Sequence, residues 1–574
     1  MILMGSLMKL PLADWVETIV NWLTNHLAGF FAALQSGGTS FMDAITNGLT
    51  AVPFWIFVIV MTILAALVYG KKWGFPLFTF LGLLLIQNQG LWDDLMSTVT
   101  LVLTASLISI IIGIPLGIWM AKKETVAKIV QPILDFMQTM PGFVYLIPAV
   151  AFFGIGVVPG VFASIIFALP PTVRFTNLGI RQVPKDLVEA AESFGSTSRQ
   201  KLFKLELPLA KGTILAGVNQ TIMLALSMVV IASMIGAPGL GRGVLSAVQN
   251  ADIGKGFVNG LALVILAIII DRFTQKLNRP IEEKVNQTNR PWKKWLGLGS
   301  VIVLLASGIG GVLVSNQENA KTVDLVYVQW DSEVASTNVL AEAMREHGFK
   351  VNTTPLDNSV MWQSVATNQA DGMVSAWLPV THAAQYKKYK KDLELLGPNL
   401  KGAKTGLVVP DYMNVNSIDE LTNQANQTVT GIEPGAGVMN SAQKALDQYG
   451  LTSQGWKITP ASTGAMTVAL NKAYESKQDI VITGWSPHWM FQKYHLKYLK
   501  DPKGVFGKEE TINTVVRKGL KTDKPQAYKV MKNFKWTSDD MESVMYDVQN
   551  GQTPEAAAKK WIKAHQSQVD SWFK

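Results

Sequence analysis

Long apolar stretches, separated by short charged segments, occupy residues 50–315 of this 574-residue chain. A helix needs about 20 mainly apolar residues to cross the hydrocarbon core of a bilayer. Because the backbone in lipid must satisfy its own hydrogen bonds, such stretches are restricted to membrane-spanning helices. The sequence predicts eight spans, near residues 51–70, 74–89, 98–121, 137–156, 159–177, 213–237, 255–271 and 296–315. The second is short, and prolines interrupt the fourth and fifth.

The charges between the predicted spans indicate how the chain crosses the membrane, because loops rich in Lys and Arg remain in the cytoplasm. Basic residues cluster at 71–72, 122–128, 181–211 and 272–295, whereas the alternate loops carry Asp93, Asp94 and Asp252. This alternation places both chain ends outside. The segment 321–574, which reads as a water-soluble domain, is therefore predicted to be extracellular.

Composition excludes several classes of function. Cysteine is absent, which excludes disulfides, thiolate metal sites and an anchor on a lipid-modified cysteine. Neither half of the chain has a concentrated basic face, so nucleic acid is not an expected partner. No signal peptide is predicted at the N-terminus. Residues 12–35 show helical spacing of apolar side chains, which predicts a helix lying at the membrane interface or, alternatively, a packed core helix.

The charged segment 181–211 separates the fifth and sixth spans. Val183-Pro184 followed by Asp186 is typical of a helix start. Gly195 interrupts that helix, and Ser196 to Ser198 can cap a second one. Leu207-Pro208 is expected to close the unit. The sequence thus predicts two short helices on a membrane surface.

The spacing within this segment resembles the EAA loop of permease subunits of ABC importers. The matching residues are Glu189, Ala190, Ala191, Gly195, Leu207 and Pro208, with Leu205 where Ile is commoner. The resemblance implies a cytoplasmic loop that docks into a separate ATP-hydrolysing subunit. The alternative is an ordinary amphipathic hairpin between spans.

The five spans between residues 98 and 271 are similar to the five-helix core of a type I ABC importer permease. On this basis we expect an N-terminal segment at 1–50, peripheral scaffold spans at 51–92 and the permease core at 93–280. A cytoplasmic linker, the last span and an extracellular linker follow at 281–320, and the soluble domain occupies 321–574.

Strand and helix patterns alternate through the soluble domain, which predicts an α/β fold. The pattern occurs twice, over residues 322–377 and 428–485, and each repeat ends in Asp, five residues, then Trp-x-Pro. Ligands of open α/β sheets bind outside the carboxyl ends of the strands. Two similar halves with a shared cleft predict a two-lobed binding protein that closes on a small ligand.

Three tryptophans, Trp330, Trp377 and Trp485, occupy the ends of predicted strands. Aromatic faces attract a cation that cannot donate hydrogen bonds, such as a quaternary ammonium, by about 0.5–1 kcal/mol per exposed contact and ~2 kcal/mol when desolvated. The alternative is that these rings fill the core between the lobes. We expect them to form a ligand cage.

The Gly-rich turn at 431–438 joins a strand to a helix, where successive backbone N–H groups can bind an anion. His382, five residues after Trp377, can add a donor to a carboxylate. A cage for an ammonium group together with a carboxylate site describes a zwitterion such as a betaine.

The soluble domain is similar to the glycine betaine binding proteins of osmoprotectant importers, and the whole chain resembles a permease fused to such a receptor. The resemblance implies that Trp330, Trp377 and Trp485 enclose a trimethylammonium group. It also implies that the ligand carboxylate meets the amides of Gly437 and Val438 and the ring of His382. These expectations describe a periplasmic-binding-protein-like domain fused to an α-helical polytopic permease.

The expected function is ATP-driven uptake, with no chemistry on the solute and no cofactor in this chain. No Walker A pattern occurs in the sequence, so an ABC ATP-binding subunit, carrying ATP and Mg²⁺, is an expected partner. We also expect a homodimer of this chain in a cell membrane. Alternatives are the same importer for choline, carnitine, proline or another amino acid, a membrane-anchored receptor without transport, and a secreted-substrate hydrolase.

Overall fold

A computed structural model of the protein describes residues 10–69, 73–249, 251–277 and 322–574. They form two compact units, one mainly from residues up to 316 and the other mainly from 317 onward. Each unit is considered by itself. The predicted span at 296–315, the lysines at 71–72, the linker around residue 317 and most of the basic segment 272–295 lie outside the described residues.

The first unit is helical. The helices of residues 10–277 are α1 Leu12–His26, α2 Ala28–Thr50, α3 Phe54–Tyr69, α4 Gly74–Asn88, α5 Trp92–Lys122, α6 Glu124–Thr139, α7 Leu146–Phe153, α8 Val157–Arg181, α9 Lys185–Ser193, α10 Ser198–Lys201, α11 Leu207–Ser233, α12 Leu240–Gln249 and α13 Ile253–Leu277. Among the described residues, four helices are long and apolar enough to cross a membrane, and counting each bent pair as one span raises this to six. A helical polytopic membrane unit is thus confirmed.

Prolines affect the predicted spans differently. The fourth span is not one helix, because α6 and the segment that follows it are bent by 105°. Met140, which precedes Pro141, is extended, as expected for a residue before proline. The fifth is unbroken, since α8 continues through Pro170 and Pro171. The hydroxyl of Thr221 on α11 donates to the carbonyl of Ala168 (2.8 Å) beside these prolines, and neighbouring helices can support a disturbed turn in this way.

Small residues bring α5, α8 and α11 close together. A Cβ added at Gly113 would lie 2.8 Å from Thr172 Cγ2, and one at Gly217 would lie 2.5 Å from Phe175 Cβ. Helices in lipid associate largely through such close packing, because water does not drive them together. The three helices therefore form the centre of the membrane unit.

The second unit is a two-lobed α/β domain. Its strands are β1 Thr322–Tyr327, β2 Lys350–Pro355, β3 Gly372–Leu378, β4 Leu393–Pro410, β5 Thr428–Thr430, β6 Lys457–Thr459, β7 Val481–Ser486, β8 Leu496–Tyr498 and β9 Glu510–Arg517. Its helices are α14 Asp331–Glu346, α15 Asn358–Ala366, α16 Ala383–Tyr389, α17 Gly437–Gln448, α18 Thr463–Glu475, α19 Met490–Lys493, α20 Leu520–Asp523, α21 Pro525–Asn533, α22 Ser538–Gln549, α23 Pro554–Ala564 and α24 Gln566–Phe573. Both predicted repeats of alternating strands and helices, over residues 322–377 and 428–485, are present.

The strand order is β2-β1-β3-β9-β4-β7-β5-β6. Strand β4 pairs with β9 through residues 393–403 and with β7 through 404–408, so one long strand runs through both lobes. Lobe one contains β1, β2, β3 and β9, and lobe two contains β5, β6 and β7. The strands β1–β3 are mutually parallel, as are β5–β7, so the carboxyl ends of each set meet at one edge.

Candidate functional site

A pocket in the second unit is lined by residues from both lobes. It encloses about 330 Å³ of atom-free space, part of which is open to solvent. The lining residues are Trp330, Ser332, Trp377, Thr381, Thr405, Ile432, Ala436, Gly437, Val438 and Trp485. Five of the six predicted ligand-binding residues therefore come together here.

The three tryptophans occupy equivalent places at the strand ends. Trp377 is the penultimate residue of β3 and Trp485 that of β7, and each stands two residues before a proline in a cis peptide bond. Trp330 lies between the end of β1 and the start of α14. Their exposed fractions are 7% for Trp330, 3% for Trp377 and 5% for Trp485. Lobe one supplies two rings and lobe two the third.

Gly437 and Val438 begin helix α17, whose N-terminal turn borders the pocket. The first backbone N–H groups of a helix have no partner within the helix and carry the positive end of its dipole. The predicted turn therefore presents donors to an anionic group.

His382 lies behind the pocket surface and is fully buried. Its Nδ1 accepts a hydrogen bond from the backbone N–H of Trp377 (3.1 Å), so the proton of the neutral ring is on Nε2. Burial lowers the pKa of His382 to about 3. Within the described part of the chain this Nε2 has no hydrogen-bond partner. The ring is parallel to that of Trp330, with centroids 6.0 Å apart.

A buried glutamate fixes the loop that carries His382. Glu510, at the start of β9, accepts hydrogen bonds from the N–H groups of Val380 and Thr381 (2.6 Å each) and from the Thr381 hydroxyl (2.6 Å). It is 1% exposed. Strand β9 pairs with β4, so this loop is attached to the strands that join the lobes. Glu510 was not among the predicted site residues, because it follows a stretch without strong periodicity.

Two tryptophan side chains donate hydrogen bonds from one lobe to the other beside the pocket. Trp330 Nε1 of lobe one donates to Glu433 of lobe two (3.2 Å). In the reverse sense, Trp489 Nε1 of lobe two donates to Asp331 of lobe one (3.1 Å). Glu433 was not among the predicted site residues, because the turn that contains it was interpreted only through its glycines.

The charged segment 181–211 differs from the sequence prediction at its second helix. The first helix, α9, contains Glu189, Ala190 and Ala191, and Gly195 follows it with φ +77°. Thr197 caps α10 in a reciprocal capping box with Gln200, within the region expected to cap it. Leu207-Pro208 does not close the unit, because α10 continues through a π-helical turn at Leu202–Glu206 into α11. Pro208 is tolerated since it lies in the first turn of α11.

The surface of this segment combines exposed apolar and charged groups. Glu189, Ala190 and Gly195 are exposed, and the side chain of Phe194 is 91% exposed. Leu207 packs against the cluster of Ile180, Ala210 and Ile214. The Lys122 ammonium of α5 lies 2.5 Å from the Glu206 carboxylate, which is nearly buried. The segment is therefore attached to α5, α8 and α11.

Two family profiles match the chain. One, described as the substrate binding domain of an ABC-type glycine betaine transport system, matches residues 321–564. The other, a binding-protein-dependent transport system inner membrane component, matches residues 113–283. They correspond to the two structural units.

Individual proteins match the same halves. The glycine betaine/carnitine transport permease protein GbuB of Listeria monocytogenes is 58% identical over 278 residues, which is 48% of this chain and 98% of that protein. The glycine betaine transport system permease protein OpuAB of Bacillus subtilis is 54% identical over 274 residues, covering 48% and 96%. The crystal structure of lactococcal OpuAC complexed with glycine betaine is 67% identical, with 44% of this chain and 100% of that chain covered and a TM-score of 0.44.

The membrane unit thus matches permease components over nearly their whole length, and the α/β unit matches the corresponding receptor profile. Both components are present in one polypeptide, in the order permease and then receptor. The chain belongs to the family of ABC-type glycine betaine transport systems, as a permease fused to its substrate-binding domain.

Proposed function

We propose that this chain takes up glycine betaine, or a related quaternary ammonium osmoprotectant, at the expense of ATP hydrolysed by a partner subunit. The chain supplies both the translocation pathway and the receptor. The observation that carries the proposal is the pocket between the lobes, which Trp330, Trp377 and Trp485 line together with the start of α17.

The pocket chemistry suits a zwitterion. The three rings attract a trimethylammonium group that offers no hydrogen-bond donor, each desolvated contact contributing ~2 kcal/mol or more. At the other end, donors to a carboxylate come from the amides of Gly437 and Val438 and from the Nε2–H of His382, which has no partner among the described residues. Since His382 is neutral, its contribution is a hydrogen bond rather than a charge.

Capture of the solute is the first step of the cycle. The lobes close around the betaine, and the loaded receptor delivers it to the permease. An ABC ATP-binding subunit, which binds ATP and Mg²⁺, docks on the segment 181–211 through α9 and Gly195. The exposed ring of Phe194 supports such a docking surface. Two copies of this chain face two ATPase subunits, so the permease functions as a homodimer.

The proposed arrangement in the cell membrane follows the charge pattern. Residues 1–92 form the N-terminal and scaffold part, 93–280 the permease core, and 281–320 lead outward to the receptor at 321–574. The coupling segment then faces the cytoplasm and the receptor faces the outside, as uptake requires.

A binding titration of the full-length chain in detergent tests the choice of solute. Glycine betaine is titrated against the parent and against Trp330→Ala, with choline, carnitine and proline in parallel. We expect glycine betaine to bind most tightly and the variant to lose about tenfold or more in affinity. The proposed solute is wrong if glycine betaine gives no heat, or if choline, carnitine or proline binds more tightly.

The coupling segment needs a separate test, since a receptor without transport would also bind. Glu189→Lys reverses a charge on the exposed face of α9, and Lys390→Glu on the receptor is a matched surface control. We expect the first variant to lose ATP-driven uptake in reconstituted vesicles while retaining solute binding. Unchanged uptake in that variant would remove the assigned role of α9.

A further inference from the structure

We propose that Glu433 sets the selectivity of the tryptophan cage for a positive charge, by accepting the indole N–H of Trp330 across the cleft. Among the described residues that line the pocket, Glu433 is absent. It therefore acts on the ligand indirectly, as a positioning residue that holds the indole ring of Trp330. This inference rests on the proposed function, since it presumes that the cage encloses a quaternary ammonium group.

Both oxygens of the Glu433 carboxyl group accept hydrogen bonds. Trp330 Nε1 donates to Oε2 at 3.2 Å. The Thr463 N–H donates to Oε1 at 2.8 Å, and the Thr463 hydroxyl donates to Oε2 at 3.0 Å. Each oxygen therefore accepts from an N–H donor, Oε2 from Trp330 and Oε1 from Thr463. Thr463, at the start of α18 in lobe two, thus holds the carboxylate in place.

A hydrogen bond from an indole to a carboxylate changes the ring as well as its position. The bond is charge-assisted, so it draws the N–H proton toward the acceptor and leaves the indole more electron-rich. The attraction of a cation to an aromatic face is electrostatic and follows the negative potential of that face. A more electron-rich Trp330 therefore favours a cationic ligand over a neutral ligand of the same shape.

The surroundings of the ring preserve this effect. The His382 ring is parallel to Trp330, and burial keeps its pKa near 3, so His382 places no opposing positive charge beside the cage. Because Trp330 and Glu433 belong to different lobes, the bond forms only when the lobes are closed. The cage thus reaches its full attraction for a cation after the ligand is enclosed.

The test compares two ligands of equal shape on the full-length chain in detergent. Glycine betaine carries a trimethylammonium group. Its carbon analogue tert-butylacetate, the carboxylate 3,3-dimethylbutanoate, carries a neutral tert-butyl group in its place. We expect Glu433→Gln to weaken glycine betaine binding about five- to tenfold and tert-butylacetate binding, measured by competition, less than about twofold. Thr463→Val, which removes a bond to the same carboxylate but keeps its charge, should change both affinities by similar factors.

A double-mutant cycle on glycine betaine alone decides the matter if the carbon analogue competes too weakly. In a Trp330→Phe background, which lacks the indole N–H, Glu433→Gln should have less than about a twofold further effect. In a Trp377→Phe background it should retain its full effect, because Glu433 bonds Trp330 and not Trp377 in the described part of the chain.

Equal losses for both ligands, or an undiminished effect of Glu433→Gln in the Trp330→Phe background, would overturn the inference. Failure of the parent to bind glycine betaine would instead refute the proposed function, so the two failures are distinguishable.

Discussion

Gly437 packs so closely against Thr381 that a Cβ at position 437 would lie 2.0 Å from the carbonyl oxygen of Thr381. Thr381 belongs to lobe one and Gly437 begins α17 in lobe two. The oxygen is backbone, and it has little freedom to move, because Glu510 holds Thr381 by two hydrogen bonds and the preceding Val380 by a third. The two lobes can therefore approach this closely only if position 437 has no side chain.

The first prediction is that Gly437→Ala weakens glycine betaine binding, because closure would force a methyl group against a fixed carbonyl. Overpacking of this kind costs about 1–3 kcal/mol, which corresponds to roughly fivefold to 150-fold in affinity. Calorimetric titration of the full chain measures it. The unfolding transition without ligand, where the lobes need not close, serves as the control and should be unchanged. An affinity within about twofold of the parent would show that the contact does not limit closure.

The second prediction concerns the contact from Asp331 to lobe two. Its Oδ2 lies 3.1 Å from Trp489 Nε1 and 3.1 Å from His488 Nε2. Asp331→Asn removes the charge that these donors face, so the closed receptor should open more readily. We expect ligand dissociation, followed by stopped-flow tryptophan fluorescence, to accelerate about five- to thirtyfold with little change in association.

Asp324→Asn is a matched control for this measurement. Asp324 also accepts a side-chain hydrogen bond, from Asn352 at 2.8 Å, but within lobe one. Its dissociation rate should equal that of the parent. If both variants dissociated at the parent rate, Asp331 would have no part in holding the lobes together.

The third prediction concerns the ion pair between Lys122 and Glu206. Glu206 is 4% exposed and lies in the π-helical turn that leads into α11, so the pair attaches the coupling segment to α5. Glu206→Gln removes the carboxylate that the Lys122 ammonium contacts, while the Lys122 side chain is itself 37% exposed, so the variant weakens this attachment without leaving a buried charge unpaired. We expect Glu206→Gln to reduce the solute transported per ATP hydrolysed about tenfold.

The pair of Arg181 and Glu124 provides the comparison. It joins α8 to α6 near the segment, but the Glu124 side chain is 66% exposed. Exposed ion pairs contribute little, and Glu124→Gln should change the transport stoichiometry by less than about twofold. Equal effects of the two variants would mean that Glu206 has no special role in coupling.

The fourth prediction is a dependence of local stability on pH. Burial of Glu333 in α14 raises its pKa from 4.5 to about 8, although a hydrogen bond from the Val328 N–H opposes this. The folded state therefore keeps a proton that the unfolded state releases above pH 4.5, and stability falls as pH rises from 4.5 to 8.

Hydrogen exchange of β1 and α14 in the full chain, corrected for the intrinsic rate, checks this dependence. The ratio of the protection factor of Glu333→Gln to that of the parent should increase about tenfold or more between pH 5 and pH 8. The lowered pKa of His382 makes stability fall as pH decreases below the ordinary histidine pKa of 6.5, which is the opposite dependence. Because both proteins contain His382, its effect cancels in the ratio of their protection factors. A constant ratio would mean that Glu333 is ionised in the folded state.

Local chemistry made much of the fold predictable. Apolar length predicted the helices that can cross a membrane, and period-two and helical patterns predicted the strands and helices of residues 322–485. The Trp-x-Pro repeats predicted rings from both lobes at one pocket. By contrast, β4 and β9, which join the lobes, were not predicted. Bulges interrupt the pairing of these two strands, so buried and exposed residues do not alternate regularly along them.

The site residues that were not predicted form hydrogen bonds with residues far away in the sequence. Glu433 bonds Trp330 across 103 residues and Glu510 bonds Val380 across 130. No local pattern encodes such pairs. The effect of proline on a helix also depends on its surroundings, since Pro141 accompanies a sharp bend whereas Pro170 and Pro171 lie within a continuous helix.

Uptake into vesicles tests the central claim most directly. The full-length chain is co-reconstituted with an ABC ATP-binding subunit, and accumulation of radiolabelled glycine betaine is followed with ATP and Mg²⁺ on the side of the ATPase. The account predicts accumulation that requires ATP and is lost in Trp330→Ala at low solute concentration. Vesicles that bind glycine betaine but accumulate no more of it with ATP than without would contradict the account.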